Sequence, residues 1–126
     1  MTRTDLERWL DAYQAAWRTD DPEQIGALFT EDATYAPWPF SEPWRGRETI
    51  VARWVERGDS KNEWRFESEL IAVDGDTGVV RGLTTYPAHD DEPEGVYSNI
   101  WVISLGADGR ARSFAEWWVE RPTPAA

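Results

Sequence analysis

The sequence has no cysteine, one histidine, His89, and one lysine, Lys61. Without cysteine there is no disulfide, no thiolate metal site and no cysteine nucleophile. No apolar run approaches the roughly 20 residues that a membrane-spanning helix needs. The opening residues lack the apolar stretch of a signal peptide and pass straight into an amphipathic pattern. The sequence therefore predicts a cytoplasmic protein with no membrane partner. Positive charge is also scarce. Thirteen Lys and Arg face 24 Asp and Glu, which leaves a formal charge of −11. Such a field repels phosphate backbones and anionic headgroups, so a nucleic-acid partner is not expected. Gly-rich phosphate loops, serine nucleophile elbows and zinc motifs are all missing, and no cofactor is expected. His89 lies among consecutive polar residues between Pro87 and Pro93, whereas metal ligands converge from separate elements. That loop reads as a solvated hairpin tip, and no metal site is expected.

What the chain has in excess is tryptophan, nine in 126 residues. Each indole buries roughly 150–250 Å² when packed, enough in total to line an aromatic interior as well as fill it. At this length, with 40% hydrophobic residues, one core and one domain over residues 1–126 are expected. The pattern points to an apolar cavity that holds a small molecule.

Thr4-Asp5-Leu6-Glu7 fits a capping box, and Leu6, Trp9, Leu10, Tyr13 and Trp17 recur at helical spacing. A first helix over residues 4–19 follows. Asp21-Pro22-Glu23 starts a second, short helix. Residues 33–36 read as a short strand, and Pro37, Pro39 and Pro43 break the next stretch into a loop. Its Trp38, Phe40 and Trp44 are expected to pack down on the body. A third helix lies between Gly46 and Gly58. The second half alternates as strands: a half-exposed one from Trp64 to Leu70, then 78–86, 95–105 and 112–120. Turns at Asp74-Gly75-Asp76 and Asp108-Gly109 join the first pair and the last. Pro122 and Pro124 end the chain in an exposed tail. The fold class is α+β, three N-terminal helices against a strongly curved, mostly antiparallel sheet that closes into a cone.

In this order the chain resembles the nuclear transport factor 2-like superfamily, in particular the SnoaL-like group of small bacterial proteins. The residues that carry the resemblance are Tyr13-Gln14-Ala15-Ala16-Trp17, Asp20-Asp21-Pro22-Glu23, Leu28 to Tyr35, Pro43-Trp44-Arg45-Gly46 and Phe114-Ala115-Glu116-Trp117-Trp118. The superfamily spans isomerases, cyclases, epoxide hydrolases, dehydratases, non-catalytic subunits and transport factors, so fold does not select a reaction. The resemblance implies a pocket between the first helix and the concave sheet face. It implies that Glu116 and Asn99 point inward and that Tyr13 matches the first-helix tyrosine of ketosteroid isomerase-like relatives. The base of those isomerases is missing, because Pro37 or Trp38 occupies its position.

Glu116, Tyr13 and Asn99 are therefore the candidate catalytic residues. A carboxylate among aromatic rings is desolvated, which raises its pKa and suits it to proton transfer. Two other readings of Glu116 stay open: an ion pair with Arg45 or Arg53, and a bulge that turns it to solvent. Trp17, Tyr35, Trp38 and Trp54 are candidate substrate-binding residues, as are Tyr97, Trp101, Phe114 and Trp118. Trp64 and Trp117 are placed on the outer sheet face, where a homodimer is expected. The function expected is binding of a small, mostly apolar, oxygenated metabolite with cofactor-independent acid–base chemistry. The alternatives are a non-catalytic ligand-binding or accessory protein, and a dimeric interaction protein whose cavity is filled.

Overall fold

The computed structural model describes residues 1–122; the expected tail at Pro124 lies outside them. The first helix, α1 (Arg3–Thr19), is capped by Thr2 and not by Thr4. The Thr2 hydroxyl accepts from the Asp5 N–H at 3.1 Å, and the Asp5 carboxylate accepts from the Thr2 N–H at 2.8 Å. Asp at the third helical position reaches back as Glu does, so the capping box closes two residues earlier than expected. One stripe of α1, from Leu6 through Trp9 and Tyr13 to Trp17, is buried. The helix ends at Asp20 in the left-handed region, φ 53°. Its carboxylate accepts from the Trp54 indole and the Ser60 N–H, both at 3.0 Å. Asp20 thereby ties the end of α1 to the third helix and to the turn that follows it.

The short α2 (Pro22–Gly26) is capped by Asp21, and α3 (Arg47–Arg57) runs between Gly46 and Gly58. A single 3-10 turn covers Asp59–Lys61. Six strands follow the helices in or between them: β1 (Phe29–Ala36), β2 (Trp44–Arg45), β3 (Arg65–Asp74), β4 (Thr77–Tyr86), β5 (Gly95–Leu105) and β6 (Ala111–Glu120). They form one sheet in the order β2-β1-β6-β5-β4-β3. The sheet is mixed, because β1 runs parallel to β6 while every other pair is antiparallel. The short strand expected at 33–36 is the second half of β1. Its first half pairs only at Phe29, and the register shifts before Thr34.

On the inner face of β4 two glycines leave room for neighbouring side chains, Gly78 for Leu6 of α1 and Gly82 for Phe66 of β3. A Cβ at Gly78 would lie 2.6 Å from Leu6 Cδ2. At Gly82 it would overlap the Phe66 ring, which stacks on Trp101 at 4.7 Å and 13°. Strand β3 carries a bulge at Ile71, since Leu70 faces Val80 while Ala72 already faces Val79. The bulge turns Ile71 outward and brings Val73 against the core.

Two expectations about aromatic residues are corrected here. Trp64 is not on the outer face: it shares the inward parity of Phe66, is buried, and stacks on Trp17 at 3.8 Å. The 37–43 loop does not pack down as a whole. A tight turn closed by Ser41 on the Trp38 carbonyl leaves Trp38 exposed and Phe40 85% exposed, packed edge-on against each other at 5.2 Å. Only Trp44 returns to the body, stacked on Tyr35 at 4.8 Å.

Candidate functional site

Polar and aromatic side chains converge at one end of the inner sheet face, where α1 and α3 end. There a cleft of about 850 Å³ opens between the helices and β4, β5 and β6. Its floor is phenolic. Tyr13 on α1 and Tyr35 on β1 share a hydrogen bond of 2.8 Å between their hydroxyls. Phe114 lies beneath them, near-parallel to Tyr35 at 4.4 Å and to Tyr13 at 5.5 Å. In such a pair one hydroxyl donates to the other, so the second keeps a hydrogen for a further acceptor. Burial raises the Tyr13 phenol well above its ordinary range, helped by Tyr35 and Glu116. Tyr35 is pushed up to about 12, mainly by burial, against the pull of the Arg57 charge. Both therefore remain neutral donors at physiological pH.

One wall is built by three strands in register. Glu116 on β6 pairs directly across from Trp101 on β5. Its Oε2 accepts from the Asn99 amide at 2.7 Å and from the Trp101 indole at 3.0 Å. The Asn99 carbonyl oxygen in turn accepts from the Thr84 hydroxyl on β4 at 2.8 Å. This chain fixes the Asn99 amide orientation, because its oxygen already serves Thr84. Oε1 of Glu116 has no protein donor among the described residues and is not sealed from solvent. Burial raises the Glu116 carboxyl above the ordinary carboxylate range. The bonds from Trp101 and Asn99 and the charge of Arg57 oppose that shift without cancelling it.

Neither arginine named for Glu116 is paired with it, and no bulge turns it away. Arg45 pairs with Glu42 at 3.6 Å and Arg53 with Glu56 at 3.5 Å, both on the surface. The ladder between β5 and β6 runs unbroken from Tyr97 to Ser104, so no bulge turns Glu116 outward.

Tyr13, Asn99 and Glu116 all line the cleft, as do Trp17, Tyr35, Trp54, Tyr97, Trp101 and Trp118. Trp38 and Phe114 do not: the first stands on its exposed loop, and the second is sealed under the tyrosines. Sequence reasoning missed Arg57, Asp59 and Tyr86. Asp59 accepts from the Tyr86 hydroxyl at 3.1 Å and from the Trp17 indole at 3.3 Å. Arg57 reads as an ordinary helix-end cation and Asp59 as a turn residue, so neither carried a sequence signal. Among the described residues no group of three His, Asp or Glu is placed to hold a metal ion. No described helix is long and apolar enough to cross a membrane.

The sequence model of the SnoaL-like domain matches residues 7–114, most of the chain. The chain belongs to the SnoaL-like domain family. Among curated proteins, none matches it by sequence. Among solved structures it is similar to SalBIII, an epoxide hydrolase/cyclase-like enzyme described for its role in pyran ring formation in the polyether salinomycin. That likeness has a TM-score of 0.69 and 19% identity, over 91% of this chain and 93% of SalBIII. It is also similar to a protein conserved in bacteria with a cystatin-like fold from Silicibacter pomeroyi DSS-3. There the TM-score is 0.64 and the identity 22%, over 90% of this chain and 74% of the other. At these identities the likeness is one of fold. Both agree with an α+β SnoaL-like fold built on a curled sheet of six strands.

Proposed function

We propose that this SnoaL-like domain binds a small, oxygenated, ring-bearing molecule in the cleft and moves a proton on it without a cofactor. Glu116 is the acid–base group. Its Oε2 is held by Asn99 and Trp101, Oε1 has no protein donor among the described residues, and Glu116 lines the cleft; this arrangement carries the reading. A carboxyl raised by burial and reachable from the cleft is suited to take up and return a proton, whereas a salt-bridged strut has a depressed pKa. The phenol pair of Tyr13 and Tyr35 supplies the hydrogen bond to a ligand oxygen. The likeness to an epoxide hydrolase/cyclase-like enzyme favours ring closure or ring opening, reactions that need an acid and a base but no redox group.

The exposed apolar residues on the other sheet face, Leu83, Trp117 and Val119, support a homodimer of this single-domain chain. Sedimentation of a 14.5 kDa species at all micromolar concentrations would refute the dimer.

The test of the main reading is a thermal-shift screen of cyclic ketones, epoxides and hydroxylated rings, followed by product assays on the hits. A ligand at 100 times its Kd adds about 2.7 kcal/mol to the folded state. Glu116→Gln is expected to keep the fold and the binding and to abolish turnover. Turnover at the wild-type rate in that variant rules the role out. Stabilising hits with no product from any of them favour the non-catalytic ligand-binding reading.

A further inference from the structure

Three rings at the open end of the cleft have no part in the proton chemistry above. Tyr86 ends β4, Tyr97 lies on β5 and Trp118 on β6, and all three line the cleft while keeping exposed surface. They meet edge to face. The Tyr86 and Tyr97 centroids are 5.7 Å apart at 88°, and those of Tyr97 and Trp118 are 5.8 Å apart at 77°. Two edge-to-face contacts cover at most two of the six faces of these rings, and the face is the negative pole of an aromatic quadrupole.

Carboxylates stand beside these rings. Asp59 accepts from the Tyr86 hydroxyl, Glu120 lies across the ladder from Tyr97, and Glu116 precedes Trp118 by two residues on the same strand face. Among the described residues, none of these three carboxylates is in an ion pair; nearby Glu94 is paired with Arg121 at 3.3 Å. The cations lining the cleft are Arg57 and Lys61, against Asp59, Glu63, Glu92, Glu94, Glu116 and Glu120. An anionic ligand would meet charge of its own sign there.

We propose that the ligand of this cleft carries an ammonium group, a protonated or quaternary amine, seated on Tyr86, Tyr97 and Trp118 with Asp59 and Glu120 as its counter-charges. Aromatic enclosures bind such cations through the ring faces, most strongly through Trp. The proposal rests on the small-molecule reading of the cleft and narrows it. The ring oxygen sits at the tyrosine floor and the amine at the mouth.

Three phenyl probes that differ chiefly in charge test it: phenethylammonium, phenylethanol and phenylacetate. Each is titrated into the protein by NMR, which detects weak binding, while the indole N–H signals of Trp101 and Trp118 are followed. Phenethylammonium is expected to bind about tenfold tighter than phenylethanol at low salt, with phenylacetate weakest. Trp118→Ala should remove most of that advantage and Glu120→Gln part of it, and added salt should narrow it. Both side chains are exposed, so neither change threatens the core. If phenylethanol or phenylacetate binds as tightly as the ammonium and moves the same indoles, the ammonium proposal fails and the small-molecule cleft stands. If no probe moves either indole, both fail.

Discussion

Strands β4, β5 and β6 each have a closed end and an open end on the same inner face. At the closed end they present Val80, Ile103 and Phe114, all fully buried. At the open end the same parity delivers Thr84, Asn99 and Glu116, joined by hydrogen bonds. The ladders run without a break through both sets. The difference lies in the cover: the buried stripe of α1 fills the space over the first set, whereas the second set looks into the cleft. Where the space is filled, apolar area stabilises the fold. Where it is open, polar side chains must satisfy one another in place of packing. The site is thus the continuation of the core beyond the reach of its helix.

Truncation is the strongest way to break this comparison. Phe114→Ala at the closed end is expected to cost about 3–5 kcal/mol in urea unfolding, because the two tyrosines stacked on it lose their packing partner. Asn99→Ala at the open end comes next. It leaves Thr84 without its acceptor and Glu116 with one donor, and should cost about 1–3 kcal/mol. A loss equal to that of Phe114→Ala would make the open end part of the core.

Titration sharpens the comparison further. The Glu116 carboxyl is raised in the fold, so over the window between its unfolded and folded pKa values the native state holds more protons than the unfolded chain. Stability contributed by Glu116 is then present at low pH and lost as pH rises through the raised value. The melting temperature of Glu116→Gln should therefore gain on that of wild type as pH rises from the ordinary carboxylate value through the raised one, and the gap should level off beyond it. A gap between the two melting temperatures that stays constant or shrinks would mean the carboxyl is not raised. The smallest effect is expected for Trp118→Ala, which shares strand and parity with Phe114 but is 41% exposed. It should change stability by no more than about 0.5 kcal/mol, while weakening ligands at the mouth.

The glycines and aromatic residues show where the sequence could be read and where it could not. Gly46, Gly58, Gly75 and Gly109 punctuate the chain where expected, because positive φ is a local property of the residue. The inward positions of Tyr13, Asn99 and Glu116 agree with parity and with the resemblance. Trp64 and Trp38 depart from the sequence expectation in opposite directions. Whether a ring near an element end is buried depends on a partner far along the chain: Trp17 for the first, none for the second. Asp59 and Arg57 escaped notice for the same reason. They enter the cleft only because Asp20, 40 positions before Ser60, clamps the turn after α3 to the end of α1.

The sequence by itself determined the period of the helices and the long strands, the turns between them and the alternation of side chains along each strand, since these follow from local backbone sterics. The tertiary structure alone decided the parallel pairing of β1 with β6, the register that sets Glu116 opposite Trp101, and the cations and carboxylates that share one cleft. These depend on contacts between segments distant in sequence, where closing the loop is repaid only by the packing it makes possible.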